Sequence, residues 1–273
     1  MEPSSNSQAS VYTTDHSASV LRTHSWRTAT NSAGYLIPHL RPDMKVLDIG
    51  CGPGSITIDL ARLVPQGHVT GVEYVPDPLQ EARSLAAAQG VTNVSFEIGD
   101  IHSLPFVNGS FDVVHAHQVL QHIADPVGAL QEMRRITKSG GIVACRESAS
   151  MTWYPDSEKL STWYEVTNRM ATAKGGNPHP GKYIHVWAEE AGFTRENIKK
   201  SAGSWCFSSD EEREYWGGSM GERARSSGFV AMALKEGFST AEELKTIANG
   251  WDEFRKDKHA WFGLLHGEVL CRK

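Results

Sequence analysis

Residues 46–61, VLDIGCGPGSITIDLA, decide how the rest of the chain is read. Val46, Leu47 and Ile49 predict a buried strand that stops at Gly50. A helix follows, with Ile56, Leu60, Leu63 and Val64 on one face at the i, i+4, i+7, i+8 spacing of a helix packed on a sheet. Gly50, Gly52 and Gly54 make the turn between strand and helix compact and leave its backbone N–H groups uncovered, as a ligand-holding turn requires.

Downstream the alternation repeats. GHVTGVE (67–73) predicts a second strand, VSFEIGD (94–100) a third, FDVVHAHQ (111–118) a fourth and GGIVACRES (140–148) a fifth. Asp77 and Asp125, each followed by proline, predict capped helix starts, with Leu79, Ala82 and Ala86, then Ala129, Met133 and Ile136, as the buried stripes. Strands separated by helices need crossover connections, which predicts an α/β fold built on a doubly wound, mostly parallel sheet. In such a sheet ligands bind beyond the carboxyl ends of the strands.

Upstream, residues 1–10 are a polar arm, and the pattern from Tyr12 to Leu40 is helical, ending near Pro38. After Glu147 the composition changes: seven of the eight tryptophans lie between Trp153 and Trp261, the other being Trp26. Residues 151–190 and 208–258 read as mostly helical insertions forming a cover, with late strands near 198–207 and 260–271. The expected division is an arm and lid over 1–40, a core over 41–150 and an aromatic-rich substrate cover over 151–273.

A chain of 273 residues can bury a large core without disulfides or metal. Its net charge is −5 and its 27 Lys and Arg are scattered, which argues against nucleic acid as a partner. Cys51, Cys145, Cys206 and Cys271 form no CxxC pair, which points to a reducing compartment and away from zinc. No apolar run approaches the roughly 18 residues of a membrane span, and the first thirty residues lack the core of a signal peptide. A cytoplasmic protein, monomeric or homodimeric and not inserted in a membrane, is expected.

The strand ends carry the chemistry. The first supplies Asp48 and the three glycines, the second Glu73, the third Asp100 and Ile101, the fourth the run His117-Gln118-Val119-Leu120-Gln121-His122. An acid closing the second strand, about twenty residues past a glycine turn, accepts hydrogen bonds from a ribose diol. The turn itself is D-x-G-x-G-x-G, acid first. An acid there repels a pyrophosphate but suits a ligand bearing an ammonium and a sulfonium, and S-adenosylmethionine carries both. Asp100 followed by Ile101 suits adenine, with a carboxylate for the exocyclic amine and an apolar wall beside the ring. Asp48 has a plainer reading as a cap for backbone N–H groups of the turn.

VLDIGCGPG, VTGVE, GDIHSLPF, SFDVVHAHQVLQHIADP and ITKSGGIV, spread over roughly residues 20–150, resemble the successive motifs of class I S-adenosylmethionine-dependent methyltransferases. The resemblance is greatest to the ubiquinone and menaquinone biosynthesis type and to fungal small-molecule enzymes of secondary metabolism. It implies a Rossmann-like sheet of seven strands whose last is antiparallel. It also implies that Gly50, Gly52, Glu73, Asp100, Ile101 and His117 line the cofactor site, with Gln118 and Val119 beside the methionine end. Cys51 and Gly54, within the first motif, and Tyr74, directly after the second, complete the expected cofactor set, and S-adenosylhomocysteine is the expected product.

Other residues have two readings each. Arg27 is an exposed helix charge or reaches the cofactor carboxylate from a lid, with Tyr12 as its companion. His122, and after it His117, are the candidates for a general base. His115, His117 and His122 lack carboxylates at matching spacing, so no metal is expected. Glu147 either orients substrate or pairs locally. The late aromatics, taken together, suggest an apolar acceptor pocket. The expected activity is methyl transfer to the O, S or N atom of a small, largely apolar metabolite such as a phenol or thiol. A quinone C-methyltransferase, a non-catalytic cofactor-binding regulator and, less favoured by the acid-first turn, a nicotinamide dehydrogenase are the alternatives.

Overall fold

The computed structural model describes residues 26–273. One seven-stranded sheet organises them, in the order β3-β2-β1-β4-β5-β7-β6. The strands are β1 (Lys45–Ile49), β2 (His68–Glu73), β3 (Val94–Ile98), β4 (Phe111–His117), β5 (Thr137–Tyr154), β6 (Ile198–Phe207) and β7 (Trp261–Arg272). The first five run parallel, and β7 pairs antiparallel with both β5 and β6. The strand order reverses between β1 and β4, and at that switch the crossover helices leave a crevice at the strand ends.

Alternating residues explain why both faces are covered. Leu47, Val114, Val143 and Cys145 point to one side, where they meet helix α4 (Pro126–Ile136) and helix α6 (Ile184–Glu190). Val46, Val113, Ile142 and Ala144 point to the other, against α1 (Ala29–Ser32) and α2 (Ser55–Leu63). Helix α3 (Asp77–Ala88) closes the β2–β3 end through Leu79, Ala82 and Ala86. A separate apolar cluster joins α5 (Glu158–Ala173), α7 (Asp210–Ser226), α8 (Gly228–Lys235) and α9 (Ala241–Lys256) to the outer ends of β6 and β7, with Trp251 and Phe262 fully buried at its centre.

Several local expectations change. Met151–Tyr154 continue β5 instead of opening a helix, because they pair residue by residue with β7 out to Tyr154 and Trp261. Helix α6 sits on the sheet rather than in the cover, through Ile184 and Ala188. Among the described residues of the N-terminal segment, only the single turn of α1 and a 3-10 turn at Ile37–His39 are helical; Tyr12 lies outside the described residues. Leu63 is exposed, and the buried face of α2 runs instead through Ile56, Ile58 and Leu60. Asp77 is the first residue of α3, behind Pro76, and does not cap it, whereas Asp125 does cap α4, its side chain accepting from the Gly128 N–H.

Candidate active site

The crevice at the strand ends is a cavity of about 340 Å³ that extends beneath the aromatic cover. Its floor is the glycine turn. Gly50, Gly52 and Gly54 have φ of +66°, +52° and +83°, a left-handed run that side chains resist. At Gly50 a Cβ would come within 2.5 Å of a Val119 methyl, so the turn and the segment after β4 touch only because glycine stands there. Gly54 does not reach the cavity wall. It begins α2 hard against Ala82 and Phe96, where an added Cβ would lie 2.8 Å from the alanine.

Glu73, at the tip of β2, lines the cavity and accepts from the Gly52 N–H at 3.1 Å and the Tyr74 N–H at 2.7 Å. Those bonds fix the carboxylate beside the turn. Asp100 and Ile101 follow β3 on the same wall. His102 contacts the Asp100 Oδ1 through its backbone N–H and its ring, at 2.9 and 3.0 Å, which leaves Oδ2 for a ligand. Ile101 is buried and presents an apolar surface. Tyr74 stands half exposed at the mouth, whereas Cys51 is buried and its thiol is pushed up by desolvation, with Asp48 and Glu73 adding to the effect.

Asp48 also lines the cavity, but both its oxygens are engaged. Oδ1 is 2.7 Å from Nδ1 of His115, its register partner on β4, and Oδ2 accepts from the Thr57 hydroxyl at 2.6 Å. Its oxygens therefore tie β1 to β4 and α2, and neither caps the turn.

The segment after β4 forms the opposite wall. Gln118 is the described non-glycine residue with a left-handed backbone, at φ +55°. Its Oε1 accepts from Arg27 at 2.6 Å, and its amide nitrogen lies 3.1 Å from Ser148 Oγ and 3.0 Å from His266 Nε2. His117 lines the cavity, is 4% exposed, and neither ring nitrogen has a hydrogen-bond partner. Desolvation, then Arg27 and Arg146, hold it well below the ordinary histidine range, so it is neutral. His122 is pulled down to about 4, by burial first and Arg27 second, and its Nε2 lies 3.0 Å from the Gln121 amide nitrogen. His266 falls to about 2, chiefly through desolvation.

Beyond this wall the cavity turns apolar. Met151, Trp163, Trp205, Trp216, Met220 and Leu264 line it, with Asn168, Asn177 and Arg223 at intervals. Of the late aromatics, Trp163, Trp205 and Trp216 reach the cavity, while Trp251 and Phe262 are core and Tyr154 and Trp261 face solvent. Ser148, His102 and the polar cover residues carry no mark in their local sequence pattern, whereas Gln121 belongs to the run that ends the fourth strand.

The glycine turn, the two strand-tip acids and the switch-point cavity coincide with a match to the family model described as "Methyltransferase domain" over residues 40–203. The chain belongs to the methyltransferase domain family. An uncharacterized methyltransferase of Schizosaccharomyces pombe is 33% identical to it over 93% of each chain. A protein of Aspergillus luteorubrus named "Probable methyltransferase ltbC" is 26% identical over 98% of this chain and 99% of its own. In fold, this methyltransferase is similar to the YcgJ protein of Bacillus subtilis, with a TM-score of 0.57 at 19% identity, over 92% of this chain and 99% of that one. The seven-stranded, mostly parallel sheet is the Rossmann-like fold of S-adenosylmethionine-dependent methyltransferases. Among the described residues no three His, Cys, Asp or Glu side chains are grouped to hold a metal, and no helix is long and apolar enough to cross a membrane.

Proposed function

We propose that this methyltransferase moves a methyl group from S-adenosylmethionine to a small, largely apolar acceptor, with a phenol or thiol as the first choice. One observation carries the reading: a single cavity has two strand-tip carboxylates at one end and an aromatic, apolar lining at the other. The residues suit the cofactor. Glu73 beside the glycine turn suits a ribose diol, Asp100 and Ile101 suit adenine, and the two unpartnered buried nitrogens of His117 suit a polar ligand group. Arg27, tied to Gln118, brings positive charge toward the methionine carboxylate. Bound there, the cofactor supplies an electrophilic methyl on a sulfonium.

The chain's own part is alignment and exclusion of water. Tryptophan and methionine side chains hold an apolar acceptor against the cofactor end of the cavity, where proximity supplies most of the rate. A strong base is not available from the two candidate histidines. His117 and His122 are neutral, both are depressed by burial, and the His122 Nε2 lone pair faces the Gln121 amide. That favours an acceptor that ionises readily over an alcohol or a carbon nucleophile.

The test is incubation with labelled S-adenosylmethionine and a metabolite extract, followed by mass detection of a methylated product. A labelled phenol or thiol product is the expected result. S-adenosylhomocysteine binding with no transfer to any extracted metabolite would instead make the chain a cofactor-binding regulator.

A further inference from the structure

Glu147 lies within β5, one residue past the level at which β4 ends, fully buried, outside the cavity lining and without a role in the reading above. Its Oε1 accepts two backbone hydrogen bonds, from the Val119 N–H at 2.8 Å and the Leu120 N–H at 2.7 Å. Its neighbours grip the same segment. The Arg146 carbonyl accepts from the Gln118 N–H at 2.9 Å, and the Ser148 hydroxyl accepts from the Gln118 amide at 3.1 Å. Three consecutive residues of β5 thus hold the turn that follows β4.

What they hold is a strained piece of wall. Gln118 has a left-handed backbone without being glycine, a conformation that persists only where surrounding bonds over-determine it. The turn also sets the Val119 side chain on Gly50, with no room for a Cβ between them. The partly buried Val119 N–H and the buried Leu120 N–H need an acceptor, and Glu147 is 28 and 27 residues away in sequence.

We propose that Glu147 is a positioning residue for cofactor binding: through Val119 and Leu120 it holds the Gln118–Val119 wall against the glycine turn in the shape that receives S-adenosylmethionine. The proposal rests on the cofactor reading above. It requires an acceptor oxygen at the Oε1 position, and it does not require a negative charge.

Isothermal titration with S-adenosylhomocysteine separates the possibilities. No binding by the wild-type protein overturns the cofactor reading and this proposal with it. Given wild-type binding, Glu147→Gln retains an acceptor oxygen and binds within about threefold of wild type, whereas Glu147→Leu fills the space without accepting and binds at least about tenfold more weakly, with an unchanged far-UV circular dichroism spectrum. Glu147→Leu binding as tightly as wild type, or Glu147→Gln as weakly as Glu147→Leu, overturns the positioning role alone. Should Glu147→Leu not fold, amide exchange in the wild type decides. Slower exchange at Val119 and Leu120 on adding S-adenosylhomocysteine supports the proposal, and exchange unaffected by the ligand defeats it.

Discussion

Glu73 is the residue on which the proposed cofactor recognition turns. Its carboxylate is fixed by the Gly52 and Tyr74 N–H groups and faces the cavity. Hydrogen bonds to a charged group are worth about 1.5–3 kcal/mol, so Glu73→Ala is expected to weaken S-adenosylhomocysteine binding roughly 10- to 100-fold, read by titration. The buried titratable groups set a pH dependence of stability. Desolvation pushes Glu147 up to about 8 from an ordinary 4.5, so between those values the folded chain binds the extra proton and stability falls as pH rises. His122 and His266, drawn down to about 4 and about 2 from 6.5, act oppositely: the unfolded chain binds more protons below 6.5, and stability rises with pH up to there. Each group contributes a slope of about 1.4 kcal/mol per pH unit within its window, which puts the maximum near pH 6.5. In denaturant melts across pH, Glu147→Gln is expected to remove the decline above pH 6.5. The cavity positions of Glu73 and Asp100 were legible in the sequence because the first closes a predicted strand and the second stands just beyond another. Gln118's backbone was not, since the acceptor that holds its neighbours is Glu147, distant in the chain.

At the scale of elements, Asp48 joins three of them. One carboxylate binds His115 of β4 and Thr57 of α2 from its place on β1, so the turn between β1 and α2 is anchored from below. Asp48→Ala leaves a buried ring N–H and a buried hydroxyl without acceptors, and chemical unfolding is expected to show a loss of about 2–5 kcal/mol. The position of Asp48 at a strand end is legible in the sequence, but its contact with His115 is not, because that contact depends on the β1–β4 register. The core strands were readable from apolar runs bounded by glycine, proline and aspartate. The added length of β5 was missed, although residues 151–154 alternate between partly buried and exposed as a strand does. Helix α7 was harder to resolve into faces. Its buried side carries Arg213, Gly217, Ser219 and Gly221 beside Trp216 and Met220, so no apolar stripe marks it.

Across the whole molecule, two apolar bodies share one cavity: the sheet with its helices supplies the acidic strand tips, and the cover supplies the tryptophan wall. Trp251 centres the cover without touching the cavity. Trp251→Ala is expected to cost roughly 3–5 kcal/mol of stability in denaturant melts. The tryptophans were visible as a group in the sequence, but which of them line the cavity depends on how the cover helices pack on β6 and β7. With an acceptor that ionises for itself, the pH dependence of kcat/KM should follow the acceptor. Two acceptors whose pKa values differ by about two units should show inflections displaced by the same amount, whereas a shared inflection near the ordinary histidine value would implicate a histidine base. The most direct measurement is a crystal structure with S-adenosylhomocysteine. The nucleoside is predicted to lie with its ribose on Glu73 and its adenine between Asp100 and Ile101. A nucleoside bound away from the glycine turn and these two acids would contradict the assignment of the cavity.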